Sequence, residues 1–258
     1  TPTWPLFLLS FGLGALGLGY EVLWVRLWSF ISLHSATTTI GRAPAELSST
    51  YVFSFIVGIM LIGISVGGGL VGWLQRTGIP PLRLLAWIEL AIGVCTLVSL
   101  GVEQLLLFDG LATKLIEITL IMFPITVLMG MGFPLLASAF VDSQGHVGRQ
   151  FGRFYAVNTL GASLGPLATG MLLIPLKGTY AGLAFFGAAN LLIALLLAIH
   201  TGPGWSHMLR ARTLRIAGVV GVTALAGLLI APIQFSLFQP ETRGAKILFE
   251  EDNHVGHT

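Results

Sequence analysis

The sequence predicts an all-α, polytopic membrane helix bundle of about seven spans, and three observations carry that prediction. Hydrophobic residues make up 55% of the 258 positions and charged residues only 9%, against roughly 25% charged residues in an ordinary soluble domain. Apolar runs long enough to cross a hydrocarbon core of about 30 Å recur along the chain. Small residues recur within those runs at helical spacing, most clearly in 155–170, where Gly161 and Gly165 stand four apart. Such a pair lets two helix backbones approach closely in a bilayer. In the same segment Asn158 is expected to be buried, and Asn158, Thr159 and Ser163 are expected to hydrogen-bond across the helix contact.

The first span covers about 5–28, with Trp4 at one end and Trp24, Arg26 and Trp28 at the other as interfacial anchors. A polar connection through His34, Thr37, Arg42, Pro44 and Glu46 follows it. The second span, 51–74, carries Gly63 and Gly67 as helix-packing positions together with Gly68, Gly69 and Gly72. Pro80 and Pro81 open the way to the third, 84–102, which contains Glu89. The fourth, 116–141, holds Pro124 and Pro134 around Met129-Gly130-Met131-Gly132 and is expected to kink there. The fifth is 151–176, the sixth is 180–200 with Asn190, and the seventh, 216–238, is rich in Gly, Ala and Leu. Residues 1–238 thus form the bundle, and 239–258 an extramembrane tail.

Basic loop residues set the orientation. Arg76, Arg83, Arg149, Arg153, Arg210, Arg212 and Arg215 fall on one side, against Arg42, Lys114 and Lys177 on the other, so the first set is expected in the cytoplasm. The N-terminus is then cytoplasmic and the tail periplasmic in a bacterial inner membrane. Tyr51 with Tyr155, and Glu89 with Asn190, recur at nearly equal offsets, which suggests an inverted repeat of three spans plus three, followed by one more. The alternative is that two glycine-rich apolar stretches align by composition alone.

A net charge of +2 supports neither a nucleic-acid surface nor a funnel for acidic substrates. Cys95, the lone cysteine, has no partner for a disulfide and is read as packing. The opening at Thr1 without a charged, cleavable leader is read as a mature or trimmed product. His254 and His257 have ligand-like spacing but no third ligand nearby, so no metal is expected. No phosphate loop and no nucleophile-base arrangement can be assembled, and no catalytic residue is assigned.

Ionisable and amide groups inside spans are costly and are therefore the candidate site. Glu21 lies five residues before Arg26, about 140° around the helix. The two make a poor intrahelical pair, so Glu21 needs a partner from another helix or a proton. Glu89 lies about 8 to 10 Å below the cytoplasmic end of its span, in the same layer as Tyr155, Asn158 and Pro134. Those residues could form a polar pocket able to hold an ammonium group, a proton or a lipid headgroup. The alternative is that Glu89 and Asn158 bond each other or a backbone group as helix glue.

Four segments carry a family resemblance: Tyr20-Glu21-Val22-Leu23-Trp24-Val25-Arg26, Glu89-Leu90-Ala91-Ile92-Gly93, Met129-Gly130-Met131-Gly132-Phe133-Pro134 and Tyr155-Ala156-Val157-Asn158-Thr159-Leu160-Gly161. Together, and in this order, they resemble the membrane half of bacterial spermidine synthase-like proteins, in which a multi-span, major-facilitator-like domain precedes a soluble aminopropyltransferase-like domain. Residues 244–257 look like the opening hairpin of that synthase domain. The resemblance implies a membrane anchor or accessory subunit without catalytic residues of its own. It implies decarboxylated S-adenosylmethionine as a cofactor only if a synthase domain follows. A small-solute or polyamine permease, with its pocket at Glu89 and Asn158, is the alternative. A scaffold held by other membrane subunits or by a second copy is a third reading, and it predicts helices sealed against one another with no cavity.

Overall fold

The computed structural model describes residues 4–39, 45–105, 111–144 and 148–201. Every element among them is helical: α1 (Trp4–Thr39), α2 (Ala45–Gln75), α3 (Pro81–Leu105), α4 (Leu111–Gln144), α5 (Gly148–Ala168), a π-helical turn (Thr169–Leu173), α6 (Ile174–Lys177) and α7 (Thr179–His200). Six of these stretches are long and apolar enough to cross a membrane, with α5, the π turn and α6 forming one of them. The expected seventh span at 216–238, the tail at 239–258 and His254 with His257 lie outside the described residues.

Helix α1 does not stop at Trp28 but continues to Thr39. No proline or glycine interrupts 20–39, so nothing in the backbone halts the helix where the apolar run ends. Helix α4 runs unbroken through Pro124 and Pro134. In the fifth span the ladder does change. Pro175 cannot donate to a carbonyl one turn back, and just before it the Ile174 N–H reaches five residues back to the Thr169 carbonyl, which widens the turn. The hairpins between α2 and α3 and between α6 and α7 turn on Gly78 (φ 71°) and Gly178 (φ 84°), a left-handed backbone that glycine adopts without steric cost.

Three helix pairs make most of the contacts: α1 with α5, α2 with α4, and α3 with α7. Glycine defines the register of each. A Cβ built on Gly161 would strike the Phe11 carbonyl, and one on Gly165 the Ala15 carbonyl, so α1 and α5 run parallel. A Cβ on Gly63 would strike Thr126 and one on Gly67 the Val127 carbonyl. Further along, Gln75 Nε2 donates to Ser138 Oγ at 2.6 Å, so α2 and α4 are also parallel. Gly93 faces Leu191 while Gly187 faces Leu97, which makes α3 and α7 antiparallel.

These directions are what a twofold relation between α1–α3 and the fourth to sixth spans demands. Exchanging the halves turns the α1–α5 pair into the α4–α2 pair and returns α3–α7 to itself. Because each half holds three spans, the halves are inverted with respect to each other. The residue correspondence differs from the one expected from sequence. Gly63 and Gly67 match Gly161 and Gly165, and Gly93 and Leu97 match Gly187 and Leu191, so Asn190 corresponds to Thr96 rather than to Glu89.

Two further expectations are corrected. Trp24 and Trp28 are 1% and 0% exposed and stack on each other at 6.4 Å, so their rings pack in the protein core instead of standing free on the surface as anchors. Helix α1 is central, touching α2, α4, α5 and α7, which leaves its aromatic face covered; Arg26 remains exposed. Thr159 and Ser163 are also exposed and bond back to the carbonyls of Tyr155 and Thr159 on their own helix. The α1–α5 contact is tied instead by Ser10 Oγ, which donates to the Phe154 carbonyl at 3.2 Å.

A branched side chain at either glycine seam must push two backbones apart. Gly161→Val and Gly67→Val are each expected to cost about 1–3 kcal/mol, measured by denaturant unfolding in detergent micelles. Gly69→Val, where a Cβ meets open space, is the control and should change stability by less than about 0.5 kcal/mol.

Candidate functional site

Between the two parallel pairs lies a half-open cavity of about 460 Å³. Leu18 of α1 and Ile64 of α2, both exposed, stand at its rim. The glycine seams bring the walls together: Gly14 packs against the Asn158 backbone and Gly130 against the Ile64 backbone, and all four residues line the cavity.

Glu89 projects from α3 into this space and is 1% exposed. Its Oε2 is buried without a hydrogen-bond partner, and the same is true of Asn158 Oδ1 on α5. The two side chains share the cavity without bonding each other, so the expectation that they serve as mutual helix glue is not met. Gly132 on α4 stands beside the carboxylate, where a Cβ would meet Glu89 Oε1 at 3.7 Å, an ordinary contact distance. An uncompensated carboxylate in such a place is expensive and needs a proton or a cation.

Behind Glu89 the wall is a closed polar network. Asn190 Nδ2 of α7 donates to the Tyr20 hydroxyl oxygen at 2.7 Å, and that hydroxyl pairs with Thr96 Oγ1 of α3 at 3.2 Å. The ring of Tyr20 meets Phe186 edge-on at 5.0 Å. Tyr20 thus ties the first, third and sixth spans together at one point, and both it and Asn190 line the cavity.

The expected site is only partly assembled. Glu89 and Asn158 both line the cavity. Tyr155 does not join them. It is 55% exposed, because α5 turns its Phe154, Gly161 and Gly165 face inward and leaves Tyr155 on the flank, edge-on to Phe133 at 5.8 Å. Glu21 is half-buried on α1 and does not line the cavity. Sequence reasoning passed over Tyr20 and Thr96 as polar partners. A hydroxyl inside an apolar span, matched to the amide of Asn190 in another, was the available signal. It also passed over Glu117, a second buried carboxylate, in α4.

A second cavity of about 430 Å³ lies beside the π turn among α1, α5, α6 and α7. Its only polar side chains among the described residues are Thr169 and Lys177, too few to orient a polar ligand.

Removing the Tyr20 hydroxyl leaves the Asn190 amide buried without its acceptor. Tyr20→Phe keeps the ring contact and is expected to cost about 1–2 kcal/mol in detergent unfolding. Asn190→Leu in the Tyr20→Phe background should recover part of that loss, because no stranded amide remains.

No family model, curated protein or solved structure matches the chain.

Proposed function

We propose that this chain is a membrane-embedded solute-binding unit of the permease type, which takes a small solute such as a polyamine into the cavity at Glu89 and Asn158. The observation that supports it is a half-open cavity in an apolar bundle, lined by the buried carboxylate of Glu89 and the half-buried amide of Asn158, each with one buried oxygen that has no partner. A scaffold would have sealed that space with side chains, since an unpaired polar atom among helices is a cost without a return.

A second reading is favoured by one arrangement. All four segments that carry the resemblance to spermidine synthase-like proteins contribute to the same cavity, through Tyr20, Glu89 with Ile92, Met129 with Gly130, Gly132, Phe133 and Pro134, and Asn158. On this reading the chain is the membrane domain of such a protein, an anchor or accessory unit whose cavity serves the amine chemistry of an attached synthase domain. That domain would bring decarboxylated S-adenosylmethionine. The placement in a bacterial inner membrane, with the N-terminus cytoplasmic and other membrane subunits or a second copy as partners, belongs to the same reading.

Uptake of labelled spermidine into proteoliposomes separates the cases. The binding reading expects uptake above that of protein-free liposomes, reduced by about tenfold or more in Glu89→Gln, the scale of losing one buried charge partner. Uptake that matches protein-free liposomes, or that is indifferent to Glu89→Gln, rejects it. For the second reading, the intact mass of the protein from its native membrane should lie well above 27.5 kDa; a mass near that value removes the synthase domain.

A further inference from the structure

The buried side-chain atoms of the cavity that lack a hydrogen-bond partner are all of one kind. Glu89 Oε2 and Asn158 Oδ1 are acceptors, buried and unpartnered. Pro134 and Pro166, inside α4 and α5, lack the N–H groups that would bond the carbonyls of Gly130 and Ala162 one turn back, and both of those residues line the cavity. Of the donors present, the Asn190 amide and the Tyr20 hydroxyl belong to the network with Thr96, which leaves the Asn158 Nδ2 beside the acceptors. Among the described residues no Lys, Arg or His side chain lines the space. Glu89 is its one carboxylate there, and Tyr20 is the only other titratable group facing it from α1, α2, α4, α5 or α7.

A cavity whose buried unpartnered atoms are acceptors, with one potential negative charge and no cationic side chain among the described lining residues, is complementary to a ligand that carries one positive charge and several N–H donors. Resting on the solute-binding reading above, we propose that the cavity takes one protonated primary ammonium group in exchange for the Glu89 carboxyl proton. In the empty site the proton keeps the buried group neutral. When the ammonium enters, the carboxyl O–H bond breaks, the proton leaves to solvent, and the carboxylate and ammonium form a neutral pair. The change is one cation in and one proton out, with no net charge moved into the low-dielectric interior, where an unbalanced charge is costly.

Two consequences follow from the chemistry. Apparent affinity rises with pH, by about tenfold per unit while the empty site is protonated, because a proton is a product of binding. The N–H groups matter as well as the charge, so tetramethylammonium, which has none, binds at least about tenfold more weakly than n-butylammonium. The neutral n-butanol lacks the charge and binds more weakly too.

The test is isothermal titration of the full chain in detergent with n-butylammonium chloride, in two buffers of different ionisation enthalpy. The expected result is release of about one proton per ammonium bound, with release lost in Glu89→Gln. The wild-type comparison between buffers stands alone if that variant does not fold. Binding without proton release, or tetramethylammonium bound as tightly, overturns the exchange. Labelling of Asn158→Cys in a Cys95→Ser background by a water-soluble thiol reagent distinguishes the remaining outcomes. No binding, with the introduced thiol labelled, overturns the ammonium assignment and leaves the solute-binding reading in place. No binding, with that thiol inaccessible, rejects both.

Discussion

Close approach of helix backbones at glycine is the constraint on which the rest of this bundle depends. Helix α1 meets α5 through Gly14, Gly161 and Gly165, and α2 meets α4 through Gly63, Gly67 and Gly130. In a bilayer no hydrophobic driving force brings helices together, so association rests on packing and on the few polar bonds that reach across. The absence of a Cβ at these positions lets backbone lie on backbone. Ser10 with Phe154 and Gln75 with Ser138 then pin the two pairs.

The cavity is a product of the same constraint. Each parallel pair is tight within itself, while the contact between the pairs, α1 with α2 and α1 with α4, is less extensive. Space remains between the pairs, and two of the glycines that close the seams, Gly14 and Gly130, also form its walls. Helices α3 and α7 stand behind, held to each other by the reciprocal contact of Gly93 and Gly187 with Leu191 and Leu97. Tyr20 joins that back pair to α1 by hydrogen bonds to Thr96 and Asn190. Glu89 therefore sits on a wall braced by these contacts and faces open space.

The inverted relation between the halves extends to part of the polar network. Thr96 and Asn190 occupy corresponding places on α3 and α7, and one hydroxyl from α1 serves both. The halves differ where chemistry is concerned: the carboxylate of Glu89 has no counterpart at the matching place on α7, which falls at Leu183. The frame is thus near-symmetric, with its buried carboxylate on one half alone.

Class and packing signals were legible in the sequence. Span length, charge depletion and the four-residue spacing of Gly63 with Gly67 and of Gly161 with Gly165 are local properties, governed by bilayer thickness and helix pitch, and six spans appear where those properties placed them. Glu89 and Asn158 were legible as candidates because polar groups are rare in apolar helices. Which of them meet was decided by the tertiary structure. The rotation of α5 puts Asn158 in the cavity and Tyr155 outside it, and the centrality of α1 buries Trp24 and Trp28. Tyr20 finds its partners on α3 and α7, 76 and 170 residues away. Helix rotation and pairing are set by contacts summed over whole faces of neighbouring helices, so no stretch of the sequence taken by itself specifies them.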